Sequence, residues 1–409
     1  MYGLTRPPER WVACSGVSRA ARSLPAVAAL VALLLVAGPA RAAGPAATAA
    51  ALDRQMRLAG PYSGALAVDL ATGATLYARR PDGPRVPASV NKLYTTATAL
   101  LRWGPQTRLT TSVLAAPDPA GVVAGDLYLL GGGDPFFGPA DASRLAGGVA
   151  ASGVRHVTGR VVGDESAFDS LRGTAATGFA ASLWLEPLSA LTYNRMSRPP
   201  RAAASAFRRA LRRRGVAVDG GARVGAAPAQ TPVLAQQASP TVAEMARRTN
   251  VPSDNFAAEM LLKGLGRAFG GGGSTAQGAR VVRSTLAGLG LGTRIVDGSG
   301  LSRADRTSPR QVVGLLQTLA ARPEGPAFEA SLPTAGRNGT LSERMEGTSA
   351  QDRCHAKTGT LTGVSGLAGY CDTTRGARVA FAFLMNGVST WGARRFQDRM
   401  TATLARYSP

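Results

Sequence analysis

Short alternating apolar runs lie at both ends of this chain, and helical spacing dominates between them; that order most limits the fold. Gly64-Ala-Leu-Ala-Val-Asp69 and Thr75-Leu-Tyr-Ala-Arg79, separated by Ala71-Thr-Gly73, read as a β-hairpin. Near the other end, Ala356 to Thr360, Ser365 to Cys371 and Ala377 to Met385 read as strands, with a last helix from about Ala393 to Tyr407. Helices are predicted at Thr241 to Thr249, Asn255 to Gly266, Ala276 to Leu289 and Pro309 to Ala321. Another opens at Pro87-Ala88-Ser89 and is stopped by Gly104-Pro105. Strands at both ends around a helical middle predict an α+β layer fold whose sheet draws on both termini. From Thr107 to Ala235 the pattern changes to short strands, such as Asp126 to Leu130 and Gly159 to Gly163, among glycine-rich turns. The expected organisation is a main domain from residues 43–106 and 236–409, with an inserted, mostly β domain over 107–235.

Residues 1–42 are read as a secretory signal peptide. Arg6, Arg10, Arg19 and Arg22 precede an apolar run from Leu24 to Ala37, then the breakers Gly38-Pro39 and the small-x-small site Ala40-Arg41-Ala42. The run is shorter than the roughly 18 residues a spanning helix needs, which leaves an uncleaved anchor as the rival reading. Export across the cytoplasmic membrane, to periplasm or cell wall, follows. The net charge of +22 falls to +18 without the leader, 42 basic against 24 acidic residues. Such a balance would suit nucleic acid, but export and the lack of any nucleic-acid motif exclude that partner. Anionic envelope polymers and lipid headgroups are the polyanions left. The run Arg208, Arg209, Arg212, Arg213, Arg214 reads as a solvated helix face, with an anchoring patch as the alternative. Outside the leader only Cys354 and Cys371 remain, flanking a hairpin centred near Thr362. An exported chain can hold them as a disulfide across paired strands.

Of 47 basic residues only three are lysine: Lys92, Lys263 and Lys357. Arginine supplies charge but does not give up its proton, so a lysine retained here is a candidate for titratable work. Lys92 follows Ser89 by three residues at a helix start, which puts both side chains on one face. A buried, neutral lysine there can take the serine proton. Ser253-Asp254-Asn255 opens another helix, where an N-cap is the plain reading. Lys357-Thr358-Gly359 opens a strand, where a charged edge residue is the plain reading. Ser-x-x-Lys, Ser-Asp-Asn and Lys-Thr-Gly, in that order, form the motif set of β-lactamases and penicillin-binding proteins. The two histidines, His156 and His355, read as surface or loop residues; with one cysteine pair they are too few for a zinc site, and neither metal nor cofactor is expected.

Between about Gly64 and Met385 the chain resembles the D-Ala-D-Ala carboxypeptidase/endopeptidase family, the low-molecular-mass class C penicillin-binding proteins. The resemblance rests on Pro87 to Tyr94, Gly125 to Leu129 with Gly133-Asp-Pro135, and Pro187 to Leu191. It continues through Asp297-Gly-Ser-Gly-Leu-Ser302, Gly339-Thr-Leu341 and Ala356 to Leu361. It implies the β-lactamase/DD-peptidase-like transpeptidase fold, an antiparallel sheet with helices on both faces. It also implies hydrolysis of peptidoglycan stem peptides ending in D-Ala-D-Ala and acylation by β-lactam antibiotics. Ser89 would be the nucleophile, Lys92 its base, and Ser253 the relay to the leaving amine. Asn255 would hold Lys92 and the substrate amide. Lys357 would supply positive charge in the Lys357-Thr358-Gly359-Thr360 substrate strand, with Thr358 and Thr360 on the terminal carboxylate. The N–H groups of Ser89 and Thr360 would form the oxyanion hole. Two rivals are a β-lactamase, with Glu186-Pro187 resembling its water-positioning loop only superficially, and a non-catalytic envelope-binding homologue.

The resemblance fails at two places. The span from Ser89 to Ser253 holds about one inserted domain rather than two. Where many members carry an acid that holds the substrate's side-chain amine, Phe179 and Trp184 stand here.

Overall fold

A computed structural model describes residues 44–409; the expected leader and Cys14 lie outside them. The first sheet has five strands in the order Cys354–Leu361, Val364–Asp372, Arg378–Asn386, Ser63–Asp69, Thr75–Arg79. Every pairing is antiparallel, and the two ends of the chain meet where Leu66 lies opposite Ala382 and Ala67 opposite Phe381. Strand Ser63–Asp69 is buried throughout because both sheet faces are covered. Leu66 and Val68 face a core shared with helices Lys92–Trp103, Asn255–Phe269 and Pro309–Ala320. Ala65 and Ala67 face the opposite core, with Leu52 and Met56 of helix Pro45–Leu58 and Met400 and Leu404 of helix Thr390–Leu404. The α+β architecture with helices on both faces is therefore present. No helix among the described residues is long and apolar enough to cross a membrane.

Residues 108–241 form a second sheet, ordered Val233–Thr241, Arg108–Leu114, Leu127–Leu130, Val161–Asp164, Ala222–Val224. Alongside the expected strands this stretch folds two long helices, Pro139–Ala151 and Pro199–Arg213, which share an apolar core with the sheet. Parallel pairing of Leu127–Leu130 with Val161–Asp164 requires such a crossover. Helix Pro139–Ala151 is easily missed in sequence because Gly147-Gly148 imitates a turn and its buried face alternates alanine with only Leu145 and Val149 as large apolar residues.

Cys354 and Cys371 are bonded, directly opposite one another in the hairpin register. The bridge closes a separation of 17 residues, which corresponds to about 3 kcal/mol of chain-entropy stabilisation. A Cys354→Ala/Cys371→Ala variant should lose about that much in chemical denaturation. An unchanged midpoint and slope would rule out the staple as a stabilising element.

Candidate active site

Ser89 sits in a 3-10 turn, Ala88–Asn91, rather than in the α-helix itself, which begins at Lys92. The turn is held in a conformation that side chains seldom take: Ala88 has φ +49°. Two glycines allow other segments to close on it. A Cβ on Gly359 would stand 2.6 Å from the Pro87 carbonyl oxygen and 3.2 Å from the Ser89 nitrogen. One on Gly300 (φ +81°) would stand 2.0 Å from the Ala88 carbonyl oxygen. Gly359, expected among the substrate-binding residues, is thus the point where the motif strand passes against the nucleophile turn.

Lys92 is fully buried at the head of a helix whose residues are buried from Lys92 to Leu100. Its Nζ donates to Ser89 Oγ at 2.9 Å, Asn255 Oδ1 at 2.7 Å and the Ser299 carbonyl at 2.7 Å. Three acceptors exhaust the hydrogens of an ammonium. Burial pushes the amine down to about 8, against the upward pull of Asp297, Glu259 and Asp254. If neutral Lys92 is the base, Ser89 acylation should rise about tenfold per pH unit below pH 8 and level off above it. Stopped-flow acylation by a chromogenic cephalosporin checks this; a flat profile between pH 6 and 9 would exclude a base titrating there.

The Ser-Asp-Asn segment combines both of its readings. Asp254 is the N-cap of helix Asn255–Phe269, accepting from the Ala257 N–H at 3.0 Å. That cap leaves Asn255 on Lys92, while Ser253, at φ +63°, accepts from Lys357 Nζ at 2.8 Å. Lys357 lies on an edge strand yet is fully buried, and its Nζ also donates to the Thr358 carbonyl at 2.9 Å. Burial first, and the charge of Lys92 second, hold its amine well below the usual lysine range. The third lysine is elsewhere: Lys263 pairs with Asp169 at 2.5 Å. Neither histidine joins the site, His156 pairing with Asp219 and His355 with Thr334.

These groups open into a cleft of about 1110 Å³ lined by Ser89, Ser253, Asn255, Thr358 and Thr360, with Trp184, Thr340, Arg303 and Arg394 around them. Trp184 is 71% exposed, and its carbonyl accepts from Asn255 Nδ2 at 2.8 Å. Glu186 does not line the cleft; Arg195 ties it, at 3.1 Å, to Asp254.

Behind Lys92 lies a support that the motif reading assigned no role. Buried Glu259 accepts the N–H groups of Gly298 and Ser299, at 3.0 and 2.8 Å, and so aims the Ser299 carbonyl at Lys92. Burial raises the Glu259 carboxyl, and neighbouring Asp297 raises it further. Its sequence signal was available: Glu259 is four residues after Asn255, on the same helix face.

The D-Ala-D-Ala carboxypeptidase 3 (S13) family matches residues 46–181 and 186–407. The chain belongs to that family. It is accordingly a serine-type peptidase of the penicillin-binding group. A D-alanyl-D-alanine carboxypeptidase of Actinomadura sp. (strain R39) is 32% identical, over 86% of this chain and 82% of its own. A carboxypeptidase, DacB, of Mycolicibacterium smegmatis is 31% identical, over 82% and 78%. Penicillin-binding protein 4 of Haemophilus influenzae has the same fold, with a TM-score of 0.74 at 21% identity over 87% of this chain and 99% of that one.

Proposed function

We propose that this member of the family removes the terminal D-Ala from peptidoglycan stem peptides by acyl transfer through Ser89, and that penicillins acylate the same oxygen. What carries the reading is the bond from a buried, pKa-depressed Lys92 to Ser89 Oγ, with Asn255 and Ser299 completing the amine's partners. Neutral Lys92 takes the Ser89 proton as Oγ attacks the carbonyl between the two D-alanines. The N–H groups of Ser89 and Thr360 receive the oxyanion. Ser253, poised on Lys357, returns a proton to the departing amine, and water then releases the acyl group. Thr358 and Thr360 face the substrate's end.

In this reading residues 43–106 and 236–409 are the peptidase domain, and 107–235 are an insertion that brings Trp184 to the cleft. Residues 1–42 are an export leader, and the protein works outside the cytoplasmic membrane, where its substrate is. Arg209 and Arg213 of the basic helix are exposed, which suits electrostatic contact with anionic envelope polymers. Support for β-lactam binding includes a structure of the Haemophilus influenzae protein complexed with a β-lactam, which matches with a TM-score of 0.70.

The purified protein should release D-Ala from a pentapeptide and hold a penicillin adduct for minutes or longer. Turnover of the adduct within milliseconds would make it a β-lactamase instead. Glu186 speaks against that rival, since it does not line the cleft and so is not placed to position water at Ser89. Failure to release D-Ala and to form any adduct would leave the non-catalytic reading.

A further inference from the structure

We propose that Arg394, on the last helix, is the specificity residue that recognises the terminal carboxylate of the substrate, clamping it together with the hydroxyl of Thr360. The inference rests on the acyl-transfer reading above and deepens it.

The motif strand suggests that Lys357 supplies the charge, but Lys357 is badly placed for it. Its side chain is fully buried, and its amine is engaged by Ser253 and by the Thr358 carbonyl. Thr358 already donates its own hydroxyl hydrogen to Thr340 Oγ1, at 2.8 Å. Thr360 is different. It is exposed, and its Oγ1 accepts from Arg394 Nη2 at 3.3 Å, so its hydroxyl hydrogen is free to point into the cleft.

Arg394 is also exposed and makes no ion pair among the described residues, whereas Arg344 on the same wall is tied to Asp398 at 2.7 Å. Arg303, the other guanidinium at the rim, is turned to the Thr362 carbonyl at 2.6 Å. A guanidinium keeps its charge at any working pH and offers parallel donors matched to a carboxylate. Arg394 is the fifth residue of helix Thr390–Leu404, one turn on from Ser389 and Thr390 of the cleft wall, so its Cα is fixed by regular structure. A carboxylate arriving at Thr360 would therefore meet one hydroxyl and one permanent cation.

The test compares two peptides with one another, one ending in D-Ala-D-Ala and one ending in D-Ala-D-alaninamide. Arg394→Gln should lower kcat/KM for the carboxylate peptide about 10- to 100-fold, while hydrolysis of the amide stays near the wild-type rate. Arg394→Lys, which keeps a charge, should recover part of the loss. An equal fall on both peptides, or no fall on either, overturns the assignment. Hydrolysis of neither peptide by the wild type is a separate result, since it overturns the acyl-transfer reading itself.

Discussion

Ser89→Ala will take up no covalent penicillin and will lose about 10⁴- to 10⁶-fold in D-Ala release, while melting at the wild-type temperature. The oxygen removed is the one that would become the ester, and no second hydroxyl receives the Lys92 amine: its other partners are the amide oxygen of Asn255 and a backbone carbonyl. Those partners survive the substitution, so the buried lysine keeps two of its three acceptors and the core is not left with an orphaned amine. Fluorescent-penicillin gels, a D-Ala release assay and a thermal melt measure the three quantities. Labelling of the variant at the wild-type rate would assign the nucleophile to another residue.

The second large effect falls on the base. Lys92→Met should slow acylation by about 10²–10⁴-fold and remove the rise with pH. Methionine fills most of the same buried volume, so packing around Leu93 and Tyr94 is retained. Lys92→Arg separates two roles of the amine. Arginine retains the charge but does not give up its proton, so it should be nearly as slow as methionine if Lys92 acts as a base. Recovery of wild-type acylation by arginine would mean that charge, not proton transfer, is the contribution of this position.

Much of the site was legible because each motif is local. Ser89 and Lys92 are one turn apart, and Asp254 caps the helix that begins at Asn255. The alternation of Ala65 to Val68 and of Phe381 to Leu384 between two cores follows directly from the period of a strand. Less was legible between residues 107 and 235, where small residues blur the helical period that alanine and glycine cannot mark with hydrophobicity. Arg394 was missed for a different reason. It lies beyond Met385, where the resemblance ends, and one arginine among so many carries no signal of its own.

Residue order alone determined the strands, most helices and the three motifs, since these depend on neighbours a few positions apart, and the hairpin they imply brought the two cysteines opposite one another. Tertiary structure decided which groups meet: Lys92 reaches Asn255 across 163 positions, and Lys357 reaches Ser253 across 104. It also decided their protonation, because burial is what lowers both amines, and burial belongs to the packed chain rather than to any stretch of it.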